Sequence, residues 1–270
     1  MKRTRYFASL TLVVAAAMFV VSCGTVPVTG RSQLNLIPAS TMMSMSYQQY
    51  GDFLKSNRLS SDQNKVMMVR SVGMKIKGAV ERYFAQKGIS GELEGYKWEF
   101  NLVESKDVNA WCMPGGKVVI YTGILPITRD ETGLAVVMGH EVAHAIAEHG
   151  NERMSQGLLT QLGGVALSEA IKDKPAQTQQ LWMTAFGVGA QVGVLLPFSR
   201  LHESEADHLG LIFMAMAGFN PNEAVNFWQR MAALKGGQSP PEFLSTHPSD
   251  ETRIADIRKH LPDAMKYYKK

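Results

Sequence analysis

In GHEVAHAIAEHG, residues 139–150, three histidines and two glutamates interrupt an otherwise apolar run. An ionisable group is costly to bury without a partner, so these side chains require one. On an α-helix each residue advances about 100°, which sets His140 and His144 about 40° apart on one face, able to reach a single ion together. Glu141 lies on the adjacent flank, close enough to touch a water on that ion without ligating it. Two imidazoles for a borderline metal, with a carboxylate placed to take a proton, are the chemistry of the HExxH arrangement. On a continuous helix His149 would come round to the far side, so it is expected to face away as a solvated helix end.

A catalytic zinc ion takes three protein ligands and keeps a fourth position for water. A third histidine in the pattern HExxHxxGxxH is excluded by Ala147 and Gly150. A glutamate from a later helix is the other source. SRLHESEADHLG, residues 199–210, offers Glu203 and Asp207 on one face, with Ala206 and Gly210 small enough for close helix contact. The expected set is therefore one Zn2+ per subunit on His140, His144 and Glu203, with Asp207 accepting a hydrogen bond from a ligating imidazole. Glu205 is the rival ligand, about 200° round from Glu203; otherwise it points to solvent or an ion pair.

These residues need elements to hold them. Residues 41–86 show apolar side chains every three to four positions (Val66, Met67, Val69, Val72, Met74, Ile76), which is helical spacing. In YKWEFNLV, residues 96–103, Tyr96, Trp98, Phe100 and Leu102 alternate with polar residues, as in a half-buried strand. Pro114, Gly115 and Gly116 sit between two β-prone pieces of residues 109–123 and predict a hairpin. Helices are expected over 131–149, 153–172, 201–217, 222–234 and from Ser249, a good N-cap, to about His260. Residues 175–199 carry no formal charge; glycines at 187, 189 and 193 and Gln191 argue against a membrane span, and a buried or site-covering helix is expected. The fold class is mainly α with a small β-sheet, an α+β domain with the HExxH helix in its core.

The 270 residues, 45% of them hydrophobic, suffice for one core of ordinary size. At the start, Lys2, Arg3 and Arg5 precede an uncharged apolar stretch ending at Val20, Val21, Ser22 and Cys23, the layout of a bacterial export signal with a lipobox-like end. Residues 1–22 then form a lipoprotein signal peptide, 23–40 a lipidated Cys23 and tether, and 41–270 the domain. Loss of Lys2, Arg3 and Arg5 lowers the formal charge from +4 to +1. With no basic stripe interleaved with aromatics, no nucleic-acid partner is expected. Cys112 alone remains, so no intrachain disulfide is available, and it is expected to act as a small buried hydrophobe.

PVTGRSQL, NAWCMPGG, YTGIL, ETGLAVVMGHEVAHAIAEH, ESEADHLG, GFNPNEAVNFWQRM and THPSDETRI, in that order, resemble the gluzincin metallopeptidases related to HtpX, the CAAX prenyl protease and the mitochondrial overlapping-activity protease, and most of all their periplasmic lipoprotein branch. The resemblance implies a zincin-type domain in which His140, His144 and Glu203 bind zinc, Glu141 is the general base and Asp207 supports a ligand. It adds His247 of THPSD, approaching the metal from a loop to control access or assist the transition state. It also makes the strand carrying Asn109, Ala110 and Trp111 the edge on which substrate lies, with Asn109 a candidate backbone contact to substrate or else a structural turn residue. The implied enzyme is a zinc endopeptidase facing the periplasm of a bacterial envelope, lipid-anchored to the outer membrane more than the inner, and cleaving misfolded or misassembled envelope proteins. The alternative is a latent zinc-containing chaperone or assembly factor working with outer-membrane assembly machinery. A non-peptide zinc hydrolase would require a closed pocket in place of a sheet-edge groove.

Overall fold

The computed structural model describes residues 23–190, 196–234, 242–247 and 251–269. They fall into two compact units, one containing residues 23–39 and 150–190, the other residues 40–149 and the described residues from Pro197 onward.

In the first unit, β1 (Cys23–Thr25) pairs antiparallel with β2 (Ser32–Leu34). Two helices follow later in the chain, α5 (His149–Ile171, which begins one residue before the unit does) and α6 (Ala176–Ala190). Helix α6 is exposed along almost its whole length, contrary to the expectation of a buried helix across 175–199. Its side chains make too few internal contacts to bury their apolar surface. No helix among the described residues is long and apolar enough to cross a membrane.

The second unit holds the remaining elements. Helical spacing over 41–86 resolves into two helices, α1 (Ala39–Ser56) and α2 (Gln63–Lys87). Asp62 breaks the run because its side chain accepts from Lys65 N, capping α2 afresh. Val69, Val72 and Ile76 of α2 are buried, whereas Met67 and Met74 point outward, so not every apolar residue in the run belongs to the core face. Strand β3 (Glu99–Val103) is shorter than the alternation from Tyr96 suggests. Strands β4 (Ala110–Met113) and β5 (Lys117–Tyr121) form the expected antiparallel hairpin, and β3 pairs parallel with β5. The order β3-β5-β4 leaves β4 at the edge. Gly115 and Gly116 adopt φ of 83° and 81°, where Cβ atoms would collide with Tyr47 and Trp98, so the turn requires glycine twice. A one-turn helix α3 (Leu125–Thr128) leads into α4 (Glu131–Ile146), capped by Asp130 accepting from Gly133 N. Then come α7 (Leu196–Met216), α8 (Glu223–Ala233), α9 (Glu242–Thr246) and α10 (Glu251–Met265). The expected N-cap Ser249 lies outside the described residues.

Almost every residue of α4 is buried. It lies against α2, β4 and α8, so the apolar HExxH helix is the centre of its unit. Its contact with α7 is backbone to backbone. A Cβ on Gly139 would stand 2.8 Å from Gly210 O, and one on Gly210 would stand 2.8 Å from His140 N. Only glycine at both positions lets the two helices approach so closely, one residue from His140. Gly139→Ala or Gly210→Ala should therefore separate α4 from α7, costing about 1–3 kcal/mol by denaturant unfolding and lowering zinc per chain by elemental analysis. Full stability and full zinc content in both variants would contradict this account.

Candidate metal centre

His140 and His144 arise from the same face of α4, and their Nε2 atoms stand 3.1 Å apart. Glu203, from α7, approaches between them, with Oε2 3.4 Å from His140 Nε2 and Oε1 3.3 Å from His144 Nε2. Zinc bonds of about 2.0–2.1 Å in a tetrahedron give edges of about 3.3 Å, so this spacing suits one zinc ion. His247, directly after α9, places Nδ1 2.9 Å from Glu203 Oε1 and 3.1 Å from His140 Nε2. Among the described residues these four form the one group of side chains whose ligand atoms converge closely enough to share an ion.

The outer nitrogens show why the inner ones are free to ligate. His140 Nδ1 lies 2.9 Å from Asp207 Oδ1, as a donor to it, which leaves the Nε2 lone pair facing the cluster. His144 Nδ1 lies 2.8 Å from His149 Nδ1, and His149 Nε2 lies 3.1 Å from Glu205 Oε2. If His149 donates to Glu205, its Nδ1 accepts from His144, and His144 too turns a lone pair inward. His149 is thus buried against the site, not a solvated helix end. Ala147 and Glu148 end α4, and Glu148 adopts φ of 55°, so α5 starts in a new direction and the helical wheel from His140 no longer applies. Glu205 is an ion-pair residue two steps from the metal position.

Arg253 of α10 supplies the compensating charge. Its Nη1 lies 2.8 Å from Glu203 Oε2, its Nε and Nη2 donate to Asp207 at 2.8 Å each, and its guanidinium stacks 3.4 Å above Trp228. Nothing in the local pattern of DETRI distinguishes this arginine from a surface one; the pairing with Glu203 and Asp207 at long range was its only available signal.

The electrostatics follow from burial and these contacts. Burial disfavours a charged imidazole at His140, but Asp207 and Glu203 outweigh it and His140 is raised to about 9. Burial pushes His144 well below its usual value. Burial also opposes ionisation of Glu203, yet hydrogen bonds from His140, His144 and His247 hold it far below the carboxylate range. Asp207, with burial likewise opposing, is lowered by Arg253 and His140. Glu141 is the exception: burial dominates and raises it. Its Oε1 has no hydrogen-bond partner among the described residues, with His247 Nε2 3.5 Å off. A buried acceptor placed this way, beside converging lone pairs, fits a site that takes a cation and a water.

Asn109 precedes β4. Its carbonyl accepts from Tyr121 N and its Oδ1 accepts from Ala110 N at 2.8 Å, so the side chain shapes the start of the edge strand. Val108 O accepts from Phe243 N, and the buried Phe243 ring packs on His247 and Trp228, which fixes the short helix α9 and the histidine after it. Cys112 is free and half-buried, less enclosed than expected because it lies on the edge strand. Cys23 opens β1, opposite Leu34.

The sequence profile of peptidase family M48 matches residues 73–261. The chain is 38% identical over 187 residues to the mitochondrial metalloendopeptidase OMA1 of Schizosaccharomyces pombe, covering 69% of this chain and 52% of that one. The human counterpart is 29% identical over 248 residues, 89% of this chain and 46% of that one. The beta-barrel assembly-enhancing protease of Yersinia pestis is 33% identical over 165 residues, 60% and 34%. The chain spans about half the length, or less, of these relatives. It belongs to peptidase family M48, whose metallopeptidases are zinc-dependent. The comparisons show the family, and they do not single out its lipoprotein branch. They also correct the expected location in a bacterial envelope, on the outer membrane and facing the periplasm: the fungal and human relatives are mitochondrial enzymes.

His149→Phe keeps the ring volume but removes the acceptor behind His144. It should weaken zinc binding about 10–100-fold, as should Asp207→Asn behind His140, measured by competition with a chelator. Zinc must also displace a proton from His140 at any pH below about 9. Apparent zinc affinity should therefore rise by about tenfold per pH unit through the neutral range and flatten above about 9. Affinity independent of pH across that range would show that His140 is not protonated in the metal-free site.

Proposed function

We propose that this chain is a zinc-dependent endopeptidase whose zinc ligands are His140, His144 and Glu203. The observation that carries this reading is the convergence of two imidazole lone pairs and a carboxylate on one point, beside the unpartnered buried oxygen of Glu141. Zinc held there supplies a Lewis acid that lowers the pKa of water toward neutrality.

Glu141 acts as the general base. Burial raises its proton affinity, which suits it to take a proton from water and pass it to the departing amine. Asp207 and Arg253 hold His140 and Glu203 in place throughout. The substrate carbonyl is brought to this point by strand addition: among the described residues β4 pairs with β5 alone, so its outer N–H and C=O groups are available to an extended peptide. Asn109, by fixing Ala110, sets where that edge begins. A chain can pair in this way only where it is locally unfolded, so misfolded or misassembled proteins are the proposed substrates. An open edge also argues for peptides over a small molecule.

We extend the proposal to Cys23 as a lipid-bearing residue, supported by the apolar residues before it and by β1 starting at that position. Mass spectrometry of the mature N-terminus tests it, and an unmodified Cys23 with residues 1–22 still attached would refute it.

A second reading, a latent protease acting mainly as an assembly factor for β-barrel proteins of an outer membrane, has one observation in its favour. His247 sits 2.9 Å from Glu203 and 3.1 Å from His140, where water and substrate must enter. The name of the Yersinia pestis relative supports the same reading.

Glu141→Gln should retain zinc yet lose casein cleavage by about 10²–10⁴-fold, and a chelator should abolish cleavage by the unaltered chain. A Glu141→Gln chain that still cleaves at full rate would overturn the endopeptidase mechanism. On the latent reading, His247→Ala should raise casein cleavage severalfold, whereas a fall would assign His247 to the transition state.

A further inference from the structure

Helices α5 and α6 form an apolar hairpin whose outer surface is left uncovered. The seam lies where Phe186 meets Gly163, at which an added Cβ would stand 3.1 Å from the ring. Away from the seam, Leu158, Leu162 and Val165 repeat along α5, and Leu181, Trp182 and Val188 are exposed on α6. Leu162, Leu181 and Trp182 are 64%, 69% and 56% exposed. Residues 175–199 contain no Asp, Glu, Lys, Arg or His. A helix apolar on most sides is ordinarily buried, and an uncovered apolar surface of this extent marks an interface.

We propose that this hairpin docks on a lipid surface, lying in the interfacial layer without crossing it. None of the described helices is long and apolar enough to span a bilayer, whereas interfacial binding needs only one apolar face. The way the chain begins selects lipid over a second copy of the protein. Residues 6–22 hold no charged side chain and follow Lys2, Arg3 and Arg5; if they are kept they are lipid-seeking, and if they are cut away they leave the Cys23 proposed to bear lipid, which opens β1 of this unit.

The β1–β2 hairpin after Cys23 is fastened to α5. Arg31 donates to both carboxylate oxygens of the buried Glu152, at 2.8 and 3.1 Å. Leu36 N donates to Ser155 Oγ, and Asn151 donates to Ile37 O. The exposed stripe starts at Leu158, about one turn beyond this clip. A lipid-seeking segment and the uncovered stripe are therefore joined to one helix by hydrogen bonds. Trp182 has the amphipathic ring favoured at the headgroup level. The inference is independent of the catalytic assignment; residues 6–22 if retained, or an acyl chain on Cys23 if they are removed, serve it alike.

The test uses the full chain with vesicles of phosphatidylcholine and phosphatidylglycerol, some carrying brominated acyl chains. Trp fluorescence should shift to the blue and be quenched by bromolipid, and Trp182→Phe should remove that quenching. Leu181→Glu combined with Val188→Glu should lower the quenched fraction about tenfold or more, with zinc content unchanged. A vesicle-bound chain whose Trp182 escapes quenching would overturn the proposal. So would a blue shift without vesicles: if it depends on protein concentration, a second copy covers the face, and if it does not, residues 6–22 cover it.

Discussion

Bringing three lone-pair-bearing groups to within about 3.4 Å of one another inside a protein is unfavourable unless a cation joins them, and the second unit is organised to hold His140, His144 and Glu203 in that state. Two carboxylates, Glu203 and Asp207, share the cluster with one guanidinium, Arg253. Among these three, the charge sums to minus one. A dication brings the sum to plus one, and the carboxylate of Glu141 brings it back to zero. Each buried charge is thereby matched, which is the condition under which burying charge is tolerable.

That balance explains the division of labour around the site. Asp207 and His149, the latter against Glu205, each face the outer nitrogen of one of the two imidazoles, an arrangement that suits the tautomer presenting Nε2 in both rings. Arg253 cannot serve Glu203 and Asp207 together unless α10 lies along α7, and Trp228 of α8 gives its guanidinium a face to stack on. The Gly139–Gly210 contact does for the backbone what these bonds do for the side chains. It removes the gap that Cβ atoms would impose between the helices bearing His140 and Glu203. Any one device would leave a ligand rotatable or displaced; together they hold the donors before metal arrives, which reduces the ordering cost of binding.

What could be read from the sequence was whatever obeyed a local period. The spacing of His140, His144, Glu203 and Asp207 is a statement about helix faces, and the structure brings His140, His144 and Glu203 into one cluster with Asp207 beside His140. The β4–β5 hairpin was legible for a similar reason, because Pro114, Gly115 and Gly116 have few other conformational uses. His149 was misread because its period was interrupted: a single residue, Glu148 at φ 55°, redirects the chain and converts a residue expected in solvent into a partner of His144. Arg253 was invisible because its role comes from two residues nearly fifty positions earlier, and no local pattern encodes that distance. Of the two readings offered for 175–199, the buried one fails over the described part, α6. Its apolar, uncharged composition is real, but composition does not say whether protein or some other apolar phase provides the cover.

His247 shows how position and function can part. Resemblance alone drew attention to it, since a histidine before a proline is ordinarily a turn residue. In the fold it is held by its own backbone bond to Phe243 and by the Phe243 ring, which also packs on Trp228. Phe243 N in turn bonds to Val108 O, at the entrance to the edge strand. On the proposed strand addition a peptide on β4 would lie beside this junction, so occupation of the edge and displacement of His247 would draw on the same short helix. Coupling of that kind requires no distant site. It would follow from α9 being five residues long, with Phe243 linking the start of β4 to the His140–Glu203 cluster.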